Sequence, residues 1–242
     1  QSWQTGIVLS SSERAPEVEE LFADGPHLAV GIIEVGDAGL KSERAASIEW
    51  SLDYRNDKAG AKLSVFHKQF DDYIYLQDTG VIDAVEMLPV FAYTQQNADF
   101  NGLELEIDLT LAEWRGGDFG VKLLGDLVSG ELDSGDDIPR LPPHRVGLEI
   151  GYEHQALDAF VSVFEAAKQD KPGLMESETA GYTSVDASVV FKFQTAGDIE
   201  QMQIFLRGKN LSDEEIRNSV SFLRDVAPEA GRSFEAGFRV NF

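Results

Sequence analysis

The chain contains no cysteine. Disulfides, thiolate-bound metal and a cysteine nucleophile are therefore excluded. Basic residues are scarce: 20 Lys and Arg stand against 43 Asp and Glu, for a net charge of −23. Nucleic acid is a poor partner for such a chain, because phosphate contacts need clustered cations. The acid excess favours solvated segments and attracts cations. No apolar run reaches the roughly 18 residues of a membrane-crossing helix. That absence leaves a β-barrel open, since barrel strands are apolar on one side only. Ser, His and Asp occur at no spacing diagnostic of a nucleophilic triad, and Lys209-Asn210 lacks the glycines of a phosphate loop. The chain begins at Gln1 without an initiator Met or a signal peptide, as expected of a processed N-terminus or of a piece of something longer.

What the sequence has is alternation. Leu103, Leu105, Ile107, Leu109 and Leu111 share one parity, while Glu104, Glu106, Asp108 and Thr110 share the other. A period of two means a β-strand with different surroundings on its two sides. The pattern recurs at Ile48–Tyr54, Phe119–Leu127, Val146–Tyr152, Leu157–Val163, Val185–Phe193, Met202–Leu206 and Phe234–Phe242. Trp3–Ser10 reads as a first strand and Lys62–Tyr75 as a less regular one. The total is about ten, each near the 9–11 residues that cross a bilayer at a tilt.

The connections alternate in length. Arg55–Gly60, Arg115–Asp118, Glu153–Gln155 and Thr195–Asp198 are short, and most carry the Gly, Asn or Asp of tight hairpins. Between them lie long segments, at residues 11–39, 78–97, 129–143, 166–180 and 212–231. An outer-membrane barrel has this rhythm, with short periplasmic turns and long outer loops. Tyr54, Trp114, Tyr152, Phe193 and Phe242 all fall at short-turn ends, as an interfacial aromatic girdle requires. Glu104, Glu106, Asp108, Arg145, Glu149, Arg207 and Arg239 lie on the opposite parity and need water around them. The reading is an all-β, transmembrane antiparallel β-barrel, with residues 1–242 as part of one barrel domain. So many charged side chains would crowd a closed ten-stranded lumen, so the chain reads as part of a wider barrel. Two rivals predict different features. A barrel enzyme needs Asp/His or Ser/His convergence at the outer rim, where only His27 and His144 are available. A soluble β-sandwich predicts short loops at both ends and no girdle.

Three ordered stretches carry a family resemblance. They are Ser12 to His27 with its Arg14-Ala15-Pro16 and Glu20-Leu21-Phe22, Phe66 to Tyr75 with its Asp72-Tyr73-Ile74, and Gly208-Lys209-Asn210-Leu211 through Gly231-Arg232-Ser233-Phe234 to Phe242. Together they resemble the C-terminal half of TonB-dependent outer-membrane receptors. Ser212 and Ile216 depart from the family pattern at positions expected to pack rather than bind. The resemblance implies the last ten strands of a 22-stranded barrel in the Gram-negative outer membrane. It implies a plug, a TonB-engaging segment and twelve further strands that these 242 residues do not include. The function it implies is binding and import of a metal or metal chelate (zinc, haem or a ferric siderophore), without covalent chemistry and without a resident cofactor. Outer-membrane lipid, the TonB complex and the outer-membrane assembly machinery are the implied partners, and Phe242 would be the assembly signal.

Within the first long loop, His27 stands near Asp24, Glu34 and Asp37. Imidazole with carboxylates suits zinc or another borderline cation, so His27 is the candidate metal ligand. The bland alternative is a solvated loop histidine. Tyr73, Tyr75 and Tyr93 top an ascending strand and the loop after it. They would stack on a siderophore or form the outer aromatic girdle. His67 and His144 read as structural, and His154 belongs with the girdle. Arg14 with Glu17, Glu19 and Glu20 reads as a charge network at the wall.

Overall fold

A computed structural model describes residues 2–194 and 201–241. It contains β1 (Ser2–Arg14), helix α1 (Val18–Phe22), β2 (Asp24–His27), β3 (Ile32–Val35), β4 (Glu43–Arg55), β5 (Ala59–Ile82) and β6 (Pro89–Trp114). It continues with β7 (Gly117–Leu132), β8 (Arg145–His154), β9 (Leu157–Ala166), β10 (Tyr182–Gln194), β11 (Gln201–Lys209) and β12 (Ser233–Asn241). Ten of these form one antiparallel sheet in the order β1-β4-β5-β6-β7-β8-β9-β10-β11-β12. The remaining two, β2 and β3, form a hairpin inside the first long loop.

The alternation explains both faces. Cross-strand partners keep parity, so Trp50 sits beside Ile7 and Val65, and Leu103 beside Val65 and Leu127. These side chains and their neighbours Ile48, Leu109, Leu148, Ile150, Val161, Phe191, Ile204, Leu206 and Phe238 are all exposed. An apolar face this wide is not left in water. Polar groups on it satisfy one another: Trp50 Nε1 donates to Thr5 Oγ1 at 3.0 Å, which donates to the Ser51 carbonyl at 2.9 Å. The buried apolar residues among those described lie at the long-loop end instead. One cluster joins Ala45, Phe70, Tyr75, Ala98, Leu132 and Ile138, and another joins Ile32, Leu76 and Phe91. A soluble sandwich would bury the strand centres, and this chain does not.

The girdle residues touch each other at the short-turn end. Trp3 packs on Tyr54 with ring centroids 4.4 Å apart, and Phe119 on Tyr152 at 4.8 Å. Trp114 reaches this face only through a bulge between Thr110 and Ala112, which shifts the parity by one. The Arg115-Gly116 turn has positive φ at both residues, as a two-residue hairpin requires. A side chain at Gly117 would strike the Tyr152 ring and the Glu153 carbonyl. His154 stacks on Tyr152, in line with its girdle assignment. The turn at Thr195–Asp198 and the terminal Phe242 lie outside the described residues.

One expectation is corrected. Residues 78–97, expected as a long loop, belong mostly to β5 and β6, which run on to Ile82 and from Pro89 as a tall hairpin. At about 3.4 Å per residue the 26 residues of β6 extend far beyond a bilayer crossing. The sequence hid this because two bulges, at Phe70/Tyr73 and Asp78/Val81, break the period of two. Asp72 takes the first at φ 55.

The polar face holds a device that alternation does not reveal. Phe66 pairs with Gly102, Phe100 with Gly130, Phe164 with Gly147, Phe160 with Gly151 and Phe205 with Gly237. A Cβ added at Gly102 would fall within the Phe66 ring, and one at Gly237 would lie 2.5 Å from Phe205. The rings of Phe66, Phe100, Phe164 and Phe205 lean toward the glycines they face.

Candidate functional site

The first long loop is built from its own short-range chemistry. Glu17 and Glu20 form a capping box at the start of α1. Arg14 Nη1 donates to Glu20 at 2.8 Å and Nη2 to Glu43 at 3.4 Å, so the arginine clamps the helix to the top of β4. These bonds push the Arg14 guanidinium above its ordinary pKa, with burial opposing. Of the expected charge network the Arg14–Glu20 pair is present; Glu43 joins it, and Glu17 caps the helix instead of pairing with Arg14. After the helix, Gly36 passes so close to the backbone of Leu21–Ala23 that no side chain would fit. The β2–β3 hairpin then turns at Leu28–Gly31, where Gly31 has φ 72 and its N–H donates to the His27 carbonyl.

His27 and Glu34 meet on this hairpin. Glu34 is the cross-strand partner of Gly25, and His27 lies two residues along β2 on the same face. His27 Nδ1 lies 2.7 Å from Glu34 Oε1. The carboxylate accepts, so Nδ1 carries the proton, and in the neutral imidazole Nε2 is the nitrogen with a lone pair. His27 is half exposed, while the Glu34 side chain is 16% exposed. A carboxylate behind an outward imidazole is the arrangement that orients metal-binding histidines.

The other candidate residues fall differently. Asp24 opens β2 opposite Val35, and Asp37 accepts the Gly39 N–H at 2.7 Å. Among the described residues, no three His, Asp or Glu side chains gather as a metal-ligand set. Tyr93 packs on the Ile32–Leu76–Phe91 cluster. Burial pushes its hydroxyl pKa up, with Glu34, Glu20, Glu19 and Glu17 adding to the effect. Tyr73 and Tyr75 turn inward after the first bulge, against the outer-girdle reading. Their rings stack 5.9 Å apart, and Tyr73 packs on Phe70 and Phe100. The Tyr75 hydroxyl donates to Gln77 and accepts from Gln96.

His67 sits at the upper border of the apolar face and meets Asn101 at 3.0 Å. His144 gives its carbonyl to the Ala167 N–H. The third motif is a loop clip. Asn210, buried and at φ 47, accepts from the Glu214 N–H and donates to the carbonyls of Glu214 and Ala230. Ile216 is buried, so this departure from the family pattern packs.

A further charged centre lies among the outer loops. Glu176, 3% exposed in its side chain, receives Arg140 at 3.0 Å and Arg224 at 3.3 Å. Arg140 also donates to the Leu76 carbonyl and lies over the Phe222 ring at 4.6 Å. Burial draws the Arg140 pKa down while Glu176 holds it up. This knot joins residues 133–144, 167–181 and 210–232 to the tall β5–β6 hairpin. No periodicity marks it, because its members come from three separate loops.

A family model described as "TonB dependent receptor-like, beta-barrel" matches residues 6–211. Among solved structures, the copper transporter OprC superposes with a TM-score of 0.78 at 18% identity, covering 98% of this chain and 36% of that one. The siderophore receptor PirA from Acinetobacter baumannii gives 0.66 at 16%, covering 98% and 38%. The FrpB iron transporter from Neisseria meningitidis gives 0.64 at 15%, covering 98% and 36%. The chain thus spans little more than a third of the solved chains it matches. Those proteins are transporters and receptors rather than enzymes, and at such identities they speak for the fold.

Proposed function

This chain belongs to the TonB-dependent receptor β-barrel family of the Gram-negative outer membrane, and on that footing we propose that it serves import of a metal or metal chelate. The ten-stranded sheet is part of the barrel wall, with its apolar face in lipid and its charged face in the lumen. TonB would supply energy through a plug in the complete receptor. Phe242 would be read by the outer-membrane assembly machinery.

The observation that carries the cargo reading is the His27–Glu34 pair at 2.7 Å. A single imidazole with a free Nε2 ligates a metal that has an exchangeable position, such as zinc, copper or haem iron. The surrounding charge agrees. The segments 15–42, 72–97, 133–144, 167–181 and 210–232 hold 21 Asp and Glu against seven Lys and Arg. Of those seven, Arg140, Arg224, Lys168, Arg217 and Arg232 are paired with carboxylates. Such loops attract a cation more readily than a polyanionic ferric chelate. The inward packing of Tyr73 and Tyr75 also withdraws two aromatics from siderophore stacking.

The test is growth of cells that depend on the complete receptor under zinc or copper limitation. His27→Ala should impair growth on the imported metal, and Glu34→Gln should do so less. Unimpaired growth with His27→Ala on both metals, and on haem as iron source, would return His27 to the solvated loop.

A further inference from the structure

We infer that Glu176 is a positioning residue for the His27 site, acting through a continuous chain of contacts across the outer loops. The inference rests on the cargo reading above only for its functional consequence. Glu176 holds Arg140 through the side chain at 3.0 Å and through the Arg140 backbone N–H at 3.0 Å. The Arg140 guanidinium covers the Phe222 ring at 4.6 Å. Phe222 meets Phe91 edge to face at 5.6 Å. Phe91 is the β6 partner of Glu34 in the parallel β3–β6 pairing. Glu34 in turn holds His27 at 2.7 Å. Ile32, the partner of His27 across the hairpin, is buried in the cluster that Phe222 covers.

The geometry explains why the hairpin needs this support. It leaves the gap between β1 and β4 but pairs with β6, two strands along the sheet order from β4. Only three residue pairs join β3 to β6, at Ile33–Val90, Glu34–Phe91 and Val35–Ala92. A ladder that short is weak without packing behind it. Phe222 supplies part of that packing, beside Val30 and Tyr93, and the Arg140 guanidinium covers its ring. Arg224 closes the same unit from the other side, with Nη1 donating to the Ser219 carbonyl at 2.6 Å and Nη2 reaching Glu176 at 3.3 Å. Removing one member of a buried charge cluster leaves the others without compensation, so the effect is large and not confined to one loop.

Hydrogen exchange on the complete receptor, purified in detergent without metal, tests the coupling directly. Glu176→Gln keeps the side-chain size and removes the charge. It should raise amide exchange across residues 24–35 by on the order of tenfold, while the membrane strands stay protected. Phe222→Leu removes the ring without touching a charge and should give the same local increase, which covers the case in which Glu176→Gln fails to insert. Lys168→Gln breaks an exposed pair with Glu178 in the same loop and should change nothing at residues 24–35. Unchanged exchange there in folded Glu176→Gln or Phe222→Leu protein would overturn the inference, as would an equal rise in Lys168→Gln. The consequence is read separately by calorimetric titration with zinc and with copper(II). Both knot variants should weaken metal binding about tenfold without altering His27 itself. If the wild type bound neither metal while the exchange shift appeared, the metal reading would fail and the coupling would stand. Equal metal affinity in wild type and variants would confine Glu176 to a purely structural role and refute positioning.

Discussion

The ring of Phe66 occupies the space that a side chain at Gly102 would need, directly across the β5–β6 ladder. Gly102→Ala must therefore displace an aromatic from a position fixed by its own strand. Overpacking of this kind costs about 1–3 kcal/mol. Gly125→Ala is the matched control, because its added Cβ would meet nothing closer than the Arg145 carbonyl at 3.8 Å. Urea unfolding in liposomes should show a lower midpoint for Gly102→Ala alone.

Leu105 and Glu104 are neighbours with opposite surroundings. Leu105→Arg puts a charge into lipid and should cost about 2–4 kcal/mol near the bilayer centre. Glu104→Arg faces the water of the lumen and should fold nearly as well as the parent. Equal loss of membrane insertion in both variants would show that the two faces are wrongly assigned.

The lack of cysteine makes topology simple to test. Val226, 75% exposed in the 210–232 loop, becomes the one thiol within these 242 residues as Val226→Cys. A membrane-impermeant maleimide should label it in intact cells. Asp57→Cys, in the β4–β5 turn, should react only after the outer membrane is permeabilised. The reverse pattern would invert the barrel.

Burial pushes the hydroxyl pKa of both Tyr73 and Tyr75 upward. A raised acid pKa means that the folded state keeps its proton after the unfolded chain has lost it. This contribution to stability is complete below about pH 10, the ordinary tyrosine value. It disappears as pH climbs through the folded values. Ultraviolet difference titration should show a late tyrosinate phase that Tyr73→Phe diminishes. Loss of amplitude from the ordinary phase near pH 10 instead of the late phase would mean that Tyr73 is open to solvent.

Phe242→Ser tests the assembly role carried by resemblance. Heat-modifiable mobility on gels should reveal less folded receptor in the outer membrane, with the purified protein still able to fold into liposomes. Normal folding in cells would remove that role.

The faces of the sheet were legible in the sequence because side-chain direction in a strand follows parity alone. Leu103–Leu111 shows the apolar face without any coordinates, and Arg115-Gly116 shows a tight turn. The same local rule failed where a single extra residue changed the parity. The bulge at Asp72 turned Tyr73 and Tyr75 inward and disguised the tall hairpin as a loop. The candidate site was half legible. His27 and Glu34 lie close in sequence and are of metal-ligating type, and the hairpin brings them to 2.7 Å.

Alternation, charge balance and loop rhythm, all local properties, determined that this is a two-faced antiparallel sheet with lipid on one side. Contacts between distant segments could be decided only by the tertiary structure. Arg140, Glu176 and Arg224 lie in three different loops, and Phe66 and Gly102 in two different strands. Their meeting depends on register and loop path, and a period of two carries no information about either.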